Sequence, residues 1–317
     1  MTEVRSGKTV TVPEAQAQFG GDGVLREEQA QHGSAGSGGV LRMIGRAFLE
    51  NKMALVGLGL VVAVTLFCFV GPLLYHTDQV HSSLNTNLRP GRGHPLGTDY
   101  LGFDILGRLM EGGQSSIEIG LAVAFMATTF GVVWGAISGY FGGAVDAIMM
   151  RLVDIVLAVP AIFLFLFLAS LFQTNLVMLI VVISALSWLG PARLVRGETL
   201  SLRTREYVQA VRVMGGGSRR IVLRHIIPNA VGTIVVNATF QIADAILLLA
   251  TLSFLGFGLP PPTPTWGGML SNGINYLFDG YWWEVYPAGV IIVLTVIAFN
   301  FIGDSLRDSL EVRLQKR

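Results

Sequence analysis

The chain has 317 residues, of which 52% are hydrophobic and 14% are charged. Soluble domains carry about 25% charged residues, so this composition is typical of a membrane protein. A formal net charge of +1 excludes the strong basic excess that is expected of a nucleic-acid-binding protein.

Residues 1–40 differ in composition from the rest of the chain. They are rich in Gly, Ser, Gln and charged residues and poor in large apolar ones, which predicts a disordered cytoplasmic tail. The run Gly7-Lys8-Thr9 has the ending of a phosphate-binding loop, but Thr2 stands where such a loop needs its first glycine. We therefore predict that the chain itself binds no ATP and no other cofactor.

Residues 41–317 are predicted to form a transmembrane domain. Six apolar runs are long enough to cross a bilayer, which takes roughly 20 residues. Cys68, the single cysteine, lies in the first of them, where we expect a small residue that faces lipid or the core. The predicted fold is an all-α membrane protein with six transmembrane helices. These spans are 53–74, 117–141, 145–171, 176–192, 231–254 and 285–302, with external loops at 75–116 and 255–284 and a cytoplasmic loop at 193–230.

The distribution of basic residues predicts the orientation of these spans. Of the 22 Lys and Arg residues, three lie in the predicted external loops: Arg89, Arg92 and Arg108. Eight arginines lie between Arg193 and Arg224, and four basic residues lie near the C-terminus. By the positive-inside rule, the 193–230 loop and both termini are predicted to be cytoplasmic.

Polar residues within the predicted spans are candidates for function, because they are costly in lipid. Arg151 and Asp154 lie three residues apart, and we favour a structural ion pair between them. Asp244, one turn after Gln241, either faces a transport pathway or forms a hydrogen bond with a neighbouring helix. Asn300 near the end of the last span is a further polar candidate. Glycines are predicted to permit close helix packing at 120, 131, 135 and 139.

The segment 206–229 is a polar, arginine-bearing stretch between apolar runs. Tyr207, Ala210, Val211 and Met214 fall on one face of a predicted short helix. The run Gly215-Gly216-Gly217 should end that helix, with a positive φ at Gly215. Ser218 is predicted to cap a second short helix that Pro228 interrupts. Either this segment is a basic loop that only sets topology, or it is a knob that fits a groove on another protein.

The same segment resembles the EAA loop of bacterial ABC importer permeases. The matching residues are Glu206, Ala210 and Gly215, while Val211 replaces an alanine and Gly216-Gly217 replaces Ala-Ser. The resemblance implies that the segment docks into a cytoplasmic ATPase and transmits its motion. The residues that it assigns to this coupling are Glu206, Tyr207, Ala210, Gly215, Arg219, Arg220, Ile221, His225 and Pro228.

Two further stretches resemble the dipeptide, oligopeptide and nickel subfamily of these permeases, in its second-permease branch. The first is HPLGTDYLG followed by Phe103 and Asp104, with Phe103 in place of the usual arginine and Gly107 in place of serine. Its His and Asp residues could also be read as metal ligands, but their spacing fits no standard site. The second is Leu252–Gly258 with the proline-rich run that follows, after which residues 281–283 are predicted to anchor the outer interface.

The resemblance implies a non-catalytic permease subunit that carries dipeptides or oligopeptides through the bacterial inner membrane. It also implies a second homologous permease, two ATPase subunits that hold ATP and Mg, an extracytoplasmic peptide-binding protein, and membrane lipid as partners. No nucleic acid is expected. A nickel permease of the same subfamily is the nearest alternative, although none of the five histidines lies in a predicted span.

Two other classes of protein are weaker alternatives. A secondary transporter or channel would be expected to contain inverted repeats or broken helices. That class would also leave the 206–229 segment unexplained. A membrane enzyme would need a catalytic constellation, and the sequence contains no Ser-His-Asp, His-Glu-x-x-His or paired intramembrane aspartates.

Overall fold

Helices are the only regular elements of secondary structure in the residues that can be described. The structure is a computed structural model that describes residues 48, 50–172 and 175–315, with side chains up to residue 310. Within these ranges, β-pairing is limited to the isolated bridges Gly91–His94 and Thr98–Asp104. The predicted all-α class is confirmed. The tail predicted at 1–40 lies outside the described residues.

Among the described residues, four long helices are apolar enough to cross a membrane, and two bent helix pairs bring the number to six if each pair is one span. The four unbroken spans are Lys52–Phe69, Ile105–Phe141, Ser218–Phe257 and Trp282–Leu310. The helices are α1 Lys52–Phe69, α2 Gly71–Leu74, α3 Ile105–Phe141, α4 Gly143–Leu157, α5 Ala161–Leu171, α6 Leu176–Ser187, α7 Leu189–Leu202, α8 Glu206–Val213, α9 Ser218–Phe257, α10 Trp266–Gly273 and α11 Tyr286–Gln315.

The span predicted at 145–171 corresponds to two helices rather than one. It is broken into α4 and α5, which meet at 83°. The break falls at Pro160, which lacks an N–H and disfavours helical geometry in the residue before it. Pro160 is the N-cap of α5. The pair α6 and α7 is bent by 42°.

The predicted loops are shorter or more helical than expected. Helix α3 begins at Ile105, where Asp104 Oδ1 accepts a hydrogen bond from Gly107 N at 2.9 Å. This cap starts the helix twelve residues before the predicted start at 117. The loop predicted at 255–284 contains α10, whose Trp266 is fully buried. In the predicted aromatic anchor, Trp282 is exposed but Trp283 is buried.

Glycines let α3 and α7 approach at backbone distance. A Cβ added at Gly131 would lie 2.6 Å from Pro191 Cβ, and one at Gly139 would lie 2.8 Å from Arg196 O. At Gly135 it would overlap the carbonyl oxygen of Ala192. These residues are spaced by four and so fall on one face of α3. The predicted role of the glycines in close helix packing is confirmed, including Gly120, whose Cβ would lie 2.7 Å from Ile246 Cγ1.

Ion pairs join α4 to α7, but not as predicted. Asp154 is paired with Arg193 across 39 residues of sequence, and Arg151 is exposed with no ion pair to any described residue. Asp146 accepts two hydrogen bonds from Arg196, at 2.5 and 2.6 Å, and a third from Ser138 Oγ at 2.5 Å. The predicted Arg151–Asp154 pair is wrong because Asp154 meets a cation on the neighbouring helix.

We expect Gly135→Ala to destabilise the protein by about 1–3 kcal/mol, because the added methyl group meets backbone atoms that cannot move aside. Gly197→Ala on α7 is the matched control, since a Cβ there meets nothing within 4 Å. The measurement is the melting temperature of each purified variant in detergent. Equal melting temperatures for the two variants would contradict the close α3–α7 contact.

A double-mutant cycle tests the revised ion pairs. Asp146→Ala and Arg196→Ala should show a coupling free energy of about 0.5–3 kcal/mol, the range for residues that share one hydrogen-bond network. The cycle for Asp154→Ala and Arg151→Ala should show coupling below about 0.5 kcal/mol, since these residues do not touch. The free energy of unfolding in mild denaturant is the measurement. Strong coupling between Arg151 and Asp154 would restore the original prediction.

Candidate functional site

Helix α8 is a short amphipathic helix whose charges suit its ends. Glu206 lies in its first turn and Arg212 in its last, where each charge complements the helix dipole. Arg205, the N-cap, provides no side-chain hydrogen bond to the helix. Because eight residues are marginal as an isolated helix, α8 depends on packing for its stability.

The end of α8 is a glycine-dependent Schellman turn. Gly215 N donates to Arg212 O at 3.0 Å, and Gly216 N donates to Val211 O at 2.9 Å. This pattern requires a left-handed residue, and Gly215 has φ +81°. The predicted positive φ is confirmed. Gly216 is needed for space, since a Cβ there would lie 2.6 Å from Val211 Cγ1.

The second helix of the segment differs from the prediction. Gly217, not Ser218, is its N-cap, and no side chain caps it. Pro228 does not interrupt it. The backbone widens into a π-turn at Val222–Ile226, and Asn229 Nδ2 donates to His225 O at 2.5 Å. Because the wider turn accommodates the missing proline N–H, α9 continues past Pro228, and its helical geometry is broken near its end by Gly256, which has φ +90°.

The inner face of α8 is set by Val208, which the sequence pattern missed. Val208, Ile221 and Ile226 are fully buried and form a cluster with Tyr140 at the end of α3. Leu202, Val211 and Val222 pack around this cluster. The cluster holds α8 and the start of α9 against α3 as one packed unit.

The outer face of the segment carries the apolar residues that the pattern assigned to one stripe. Tyr207 is 42% exposed and Met214 is 77% exposed, while Val211 is half-buried. Val213 and Leu223 add further exposed apolar surface. Among the other predicted coupling residues, Ile221 is buried, His225 is half-buried, and Glu206, Ala210, Arg219, Arg220 and Pro228 are exposed.

Two arginines fasten the segment to the C-terminal end of α3. Arg203 Nη1 donates to Gly139 O at 2.9 Å, one of the carbonyl groups at the end of the helix. The guanidinium group of Arg212 lies 5.5 Å from the ring centroid of Tyr140. These cationic groups fit the negative end of the helix dipole. The segment is therefore tied to the bundle on one face and open on the other.

The polar candidates within the spans do not converge on one site. Gln241 is buried, and its Nε2 donates to Ser187 O at 3.2 Å, so it is a contact between α9 and α6. Asp244, three residues later, is exposed and has no hydrogen bond to a described residue. Asn300 is half-buried on α11. Arg151 and Asp154 lie on α4, as described above.

The segment 75–104 is held by hydrogen bonds to Asp104. Tyr75 Oη donates to Asp104 Oδ2 at 2.9 Å, and His94 Nδ1 lies 2.8 Å from the same oxygen. Burial and then this hydrogen bond raise the pKa of Tyr75 to about 12. Within the described ranges, no group of three or more His, Cys, Asp or Glu residues could hold a metal ion. The hydrogen bonds to Asp104 are what a structural role of the motif predicts.

Sequence reasoning did not predict that a set of buried polar residues meets beside that segment. Arg108, which the sequence analysis placed among the basic residues of the external loops, is buried. Its Nη1 lies 3.3 Å from Asp99 Oδ2. Burial raises the pKa of Asp99, and the charge of Arg108 opposes that rise. Glu284 and Ser253 are buried nearby in the same cleft. Asp99 and Ser253 lie in the two stretches that resemble the permease subfamily, but no local pattern connects the four residues, because the fold brings them together from distant positions.

Comparison with known proteins gives the family. Residues 131–316 match the family described as the inner membrane component of binding-protein-dependent transport systems. Residues 39–90 match the N-terminal transmembrane domain of oligopeptide transport permease C. The first match covers more than half of the chain and includes the whole 206–229 segment.

Curated relatives agree with this match along most of the chain. The oligopeptide transport system permease protein OppC of Bacillus subtilis is 40% identical over 270 residues, which are 85% of this chain and 88% of the relative. OppC of Escherichia coli K12 is 39% identical over 84% of this chain and 89% of its own length. The dipeptide transport system permease protein DppC of Bacillus subtilis is 35% identical, with 86% and 85% covered. The chain belongs to the inner membrane component family of binding-protein-dependent transport systems.

Proposed function

We propose that this chain is a membrane-spanning permease subunit of an ATP-driven importer of dipeptides or oligopeptides. The observation that carries the proposal is similarity along 85% of the chain to a relative named as an oligopeptide permease. The family match and the membrane-spanning helices support transport as the general role. The relatives named above are peptide permeases by name, so nothing favours the nickel alternative.

The proposed complex contains a second homologous permease, two cytoplasmic ATPases and an extracytoplasmic peptide-binding protein. Family membership supports the binding protein, because the family is defined by dependence on one. ATP and Mg are assigned to the ATPases, and this chain is proposed to bind no cofactor and to catalyse no reaction. The concentration of arginines between 193 and 224 supports a cytoplasmic 193–230 loop and cytoplasmic termini.

The 206–229 segment is proposed to couple the permease to an ATPase. Its exposed face combines Tyr207 and Met214 with Arg219 and Arg220, a mixed apolar and basic surface that suits a groove on a partner protein. Its inner face is packed on Tyr140, and its second helix is the first part of α9. A push on α8 is therefore passed to a 40-residue helix that crosses the membrane. ATP and the binding protein would each favour one of two states of the pathway.

The bent pairs α4–α5 and α6–α7 remove one argument against a secondary transporter, since broken helices also occur in that class. What argues against that class is family membership together with the packed 206–229 segment. Asp244, exposed on α9, remains our candidate for a residue that faces the pathway.

Gly215→Asp tests the coupling role. A side chain at φ +81° costs roughly 1–2 kcal/mol and distorts the turn that ends α8. We expect the variant to insert normally and retain the partner permease, but to lose ATPase co-purification or binding-protein-stimulated hydrolysis. Gly217→Asp is the matched control: it adds the same charge two residues away, where φ is −67° and a Cβ meets nothing within 4 Å. Normal coupling in Gly215→Asp would remove the segment from this role.

Glu206→Ala should weaken coupling less than Gly215→Asp. It removes an exposed charge from the first turn of α8, where a carboxylate contributes about 0.3–1 kcal/mol. The measurement is stimulated ATP hydrolysis in reconstituted membranes. An effect larger than that of Gly215→Asp would show that Glu206 contacts the ATPase directly and that the turn is secondary.

Uptake by the reconstituted complex tests the substrate class. Proteoliposomes with the binding protein outside and ATP inside should accumulate a radiolabelled oligopeptide, and an excess of Ni²⁺ should not compete. Uptake of Ni²⁺ without peptide uptake would reverse the assignment in favour of the nickel alternative.

A further inference from the structure

A polar cleft lies at the end of the bundle opposite the 206–229 segment in the proposed topology. It is formed where the stretch 99–108, the proline-rich loop after α9, helix α10 and residue 284 meet. Its volume is about 180 Å³. Its lining includes Asp99, Arg108, Ser253, Thr265 and Glu284, none of which the proposed coupling mechanism uses.

Three buried atoms on this lining have no hydrogen-bond partner within the described chain. Glu284 is 3% exposed and its Oε1 is unpartnered, and the same holds for Oγ of Ser253, which is 4% exposed. Arg108 Nη1 forms an ion pair with Asp99 but no hydrogen bond. Buried polar groups are almost always satisfied, so three such atoms on one cleft indicate a missing partner.

The surrounding structure keeps these groups in place. Trp266, fully buried, donates from Nε1 to Leu109 O at 2.9 Å, next to Arg108. Trp283 is buried beside Glu284, and its Nε1 donates to Thr98 O at 3.3 Å. A Cβ at Gly273 would lie 2.8 Å from Glu284 O. The cleft is therefore preformed by tightly packed neighbours.

The charges of the lining indicate the chemistry of the ligand. Asp99 and Arg108 compensate each other, which leaves the carboxylate of Glu284 without a cation. A compact ammonium group supplies both a positive charge and hydrogen-bond donors. Arg108 Nη1 and the Ser253 hydroxyl can donate to an oxygen next to that ammonium group. The volume equals that of about six waters at about 30 Å³ each, which suits a group of one amino-acid residue.

We propose that this cleft binds an α-ammonium group together with the neighbouring carbonyl or carboxylate oxygen, as found in a free amino acid or at the N-terminus of a peptide. Glu284 accepts from the ammonium group, and Arg108 and Ser253 donate to the oxygen. The choice of ligand rests on the proposed function in peptide import, and the site would hold the peptide's first residue at the outer face before passage.

Binding by the full chain in lipid nanodiscs tests this proposal without the ATPases. The probes are L-alanine, dialanine and N-acetyl-dialanine, measured by isothermal titration. We expect saturable binding of dialanine and at least tenfold weaker binding of the acetylated form, which lacks the ammonium group. Binding of alanine as tight as dialanine would identify a site for free amino acids, while preference for dialanine would identify a peptide terminus. Equal binding of the acetylated and free dipeptides, or no saturable binding, would overturn the proposal.

Two variants test the assigned residues. Glu284→Gln should weaken dialanine binding at least tenfold, and Ser253→Ala should weaken it severalfold with little effect on folding. Asp279→Asn is the matched control, since it removes one charge from an exposed residue that does not line the cleft. Unchanged affinity in folded Glu284→Gln or in Ser253→Ala would contradict the proposal. Intact dialanine binding without peptide uptake would instead count against the importer function alone.

Discussion

The backbone contact between α3 and α7 is the constraint on which the rest of the structure depends. Gly131, Gly135 and Gly139 bring the two helices so close that no side chain fits between them. In a membrane, apolar burial does not drive helices together as it does in water, so close packing and polar contacts must do so. This contact therefore contributes to helix association that apolar burial does not drive in lipid.

The position of the 206–229 segment follows from that contact. Helix α7 ends at Leu202 beside the end of α3, which brings Arg203 to the carbonyl group of Gly139. From there the chain turns back over Tyr140 and buries Val208 against it. A looser α3–α7 contact would move both anchors and so change the surface that the segment presents. The packing of two helices inside the membrane thus sets the geometry of a surface outside it.

The two ends of the bundle use polar groups differently. At the end of α3 near the segment, Asp146 accepts hydrogen bonds from Arg196 and Ser138, and Arg203 donates a hydrogen bond to the backbone oxygen of Gly139. Such satisfied groups rigidify the structure and leave little to bind a ligand. At the other end, Arg108 and Glu284 keep unpartnered atoms on a preformed cleft. The first arrangement suits the transmission of motion, and the second suits recognition.

The sequence by itself determined features that depend on local geometry or on composition. The apolar runs predicted the membrane class, the spacing of the glycines predicted close helix contact, and Gly215 predicted a positive φ, because each of these depends on a residue and its near neighbours. Pro160 is a local signal for a helix break, but the apolar run around it is long enough to cross a membrane and so predicts one span.

Only the tertiary structure decided which partner each polar residue has and which face of α8 is buried. Asp154 forms its ion pair with Arg193, and not with Arg151, which is nearer in the sequence, because α7 packs beside α4. No local sequence pattern contains that information. Val208 is buried, and Tyr207 is not, because Tyr140 lies under one side of α8. The cleft brings Asp99 and Glu284 together, although 185 positions separate them in the sequence. Contacts between distant residues depend on the packing of whole helices, so the partner of each side chain cannot be predicted from its neighbours in the sequence.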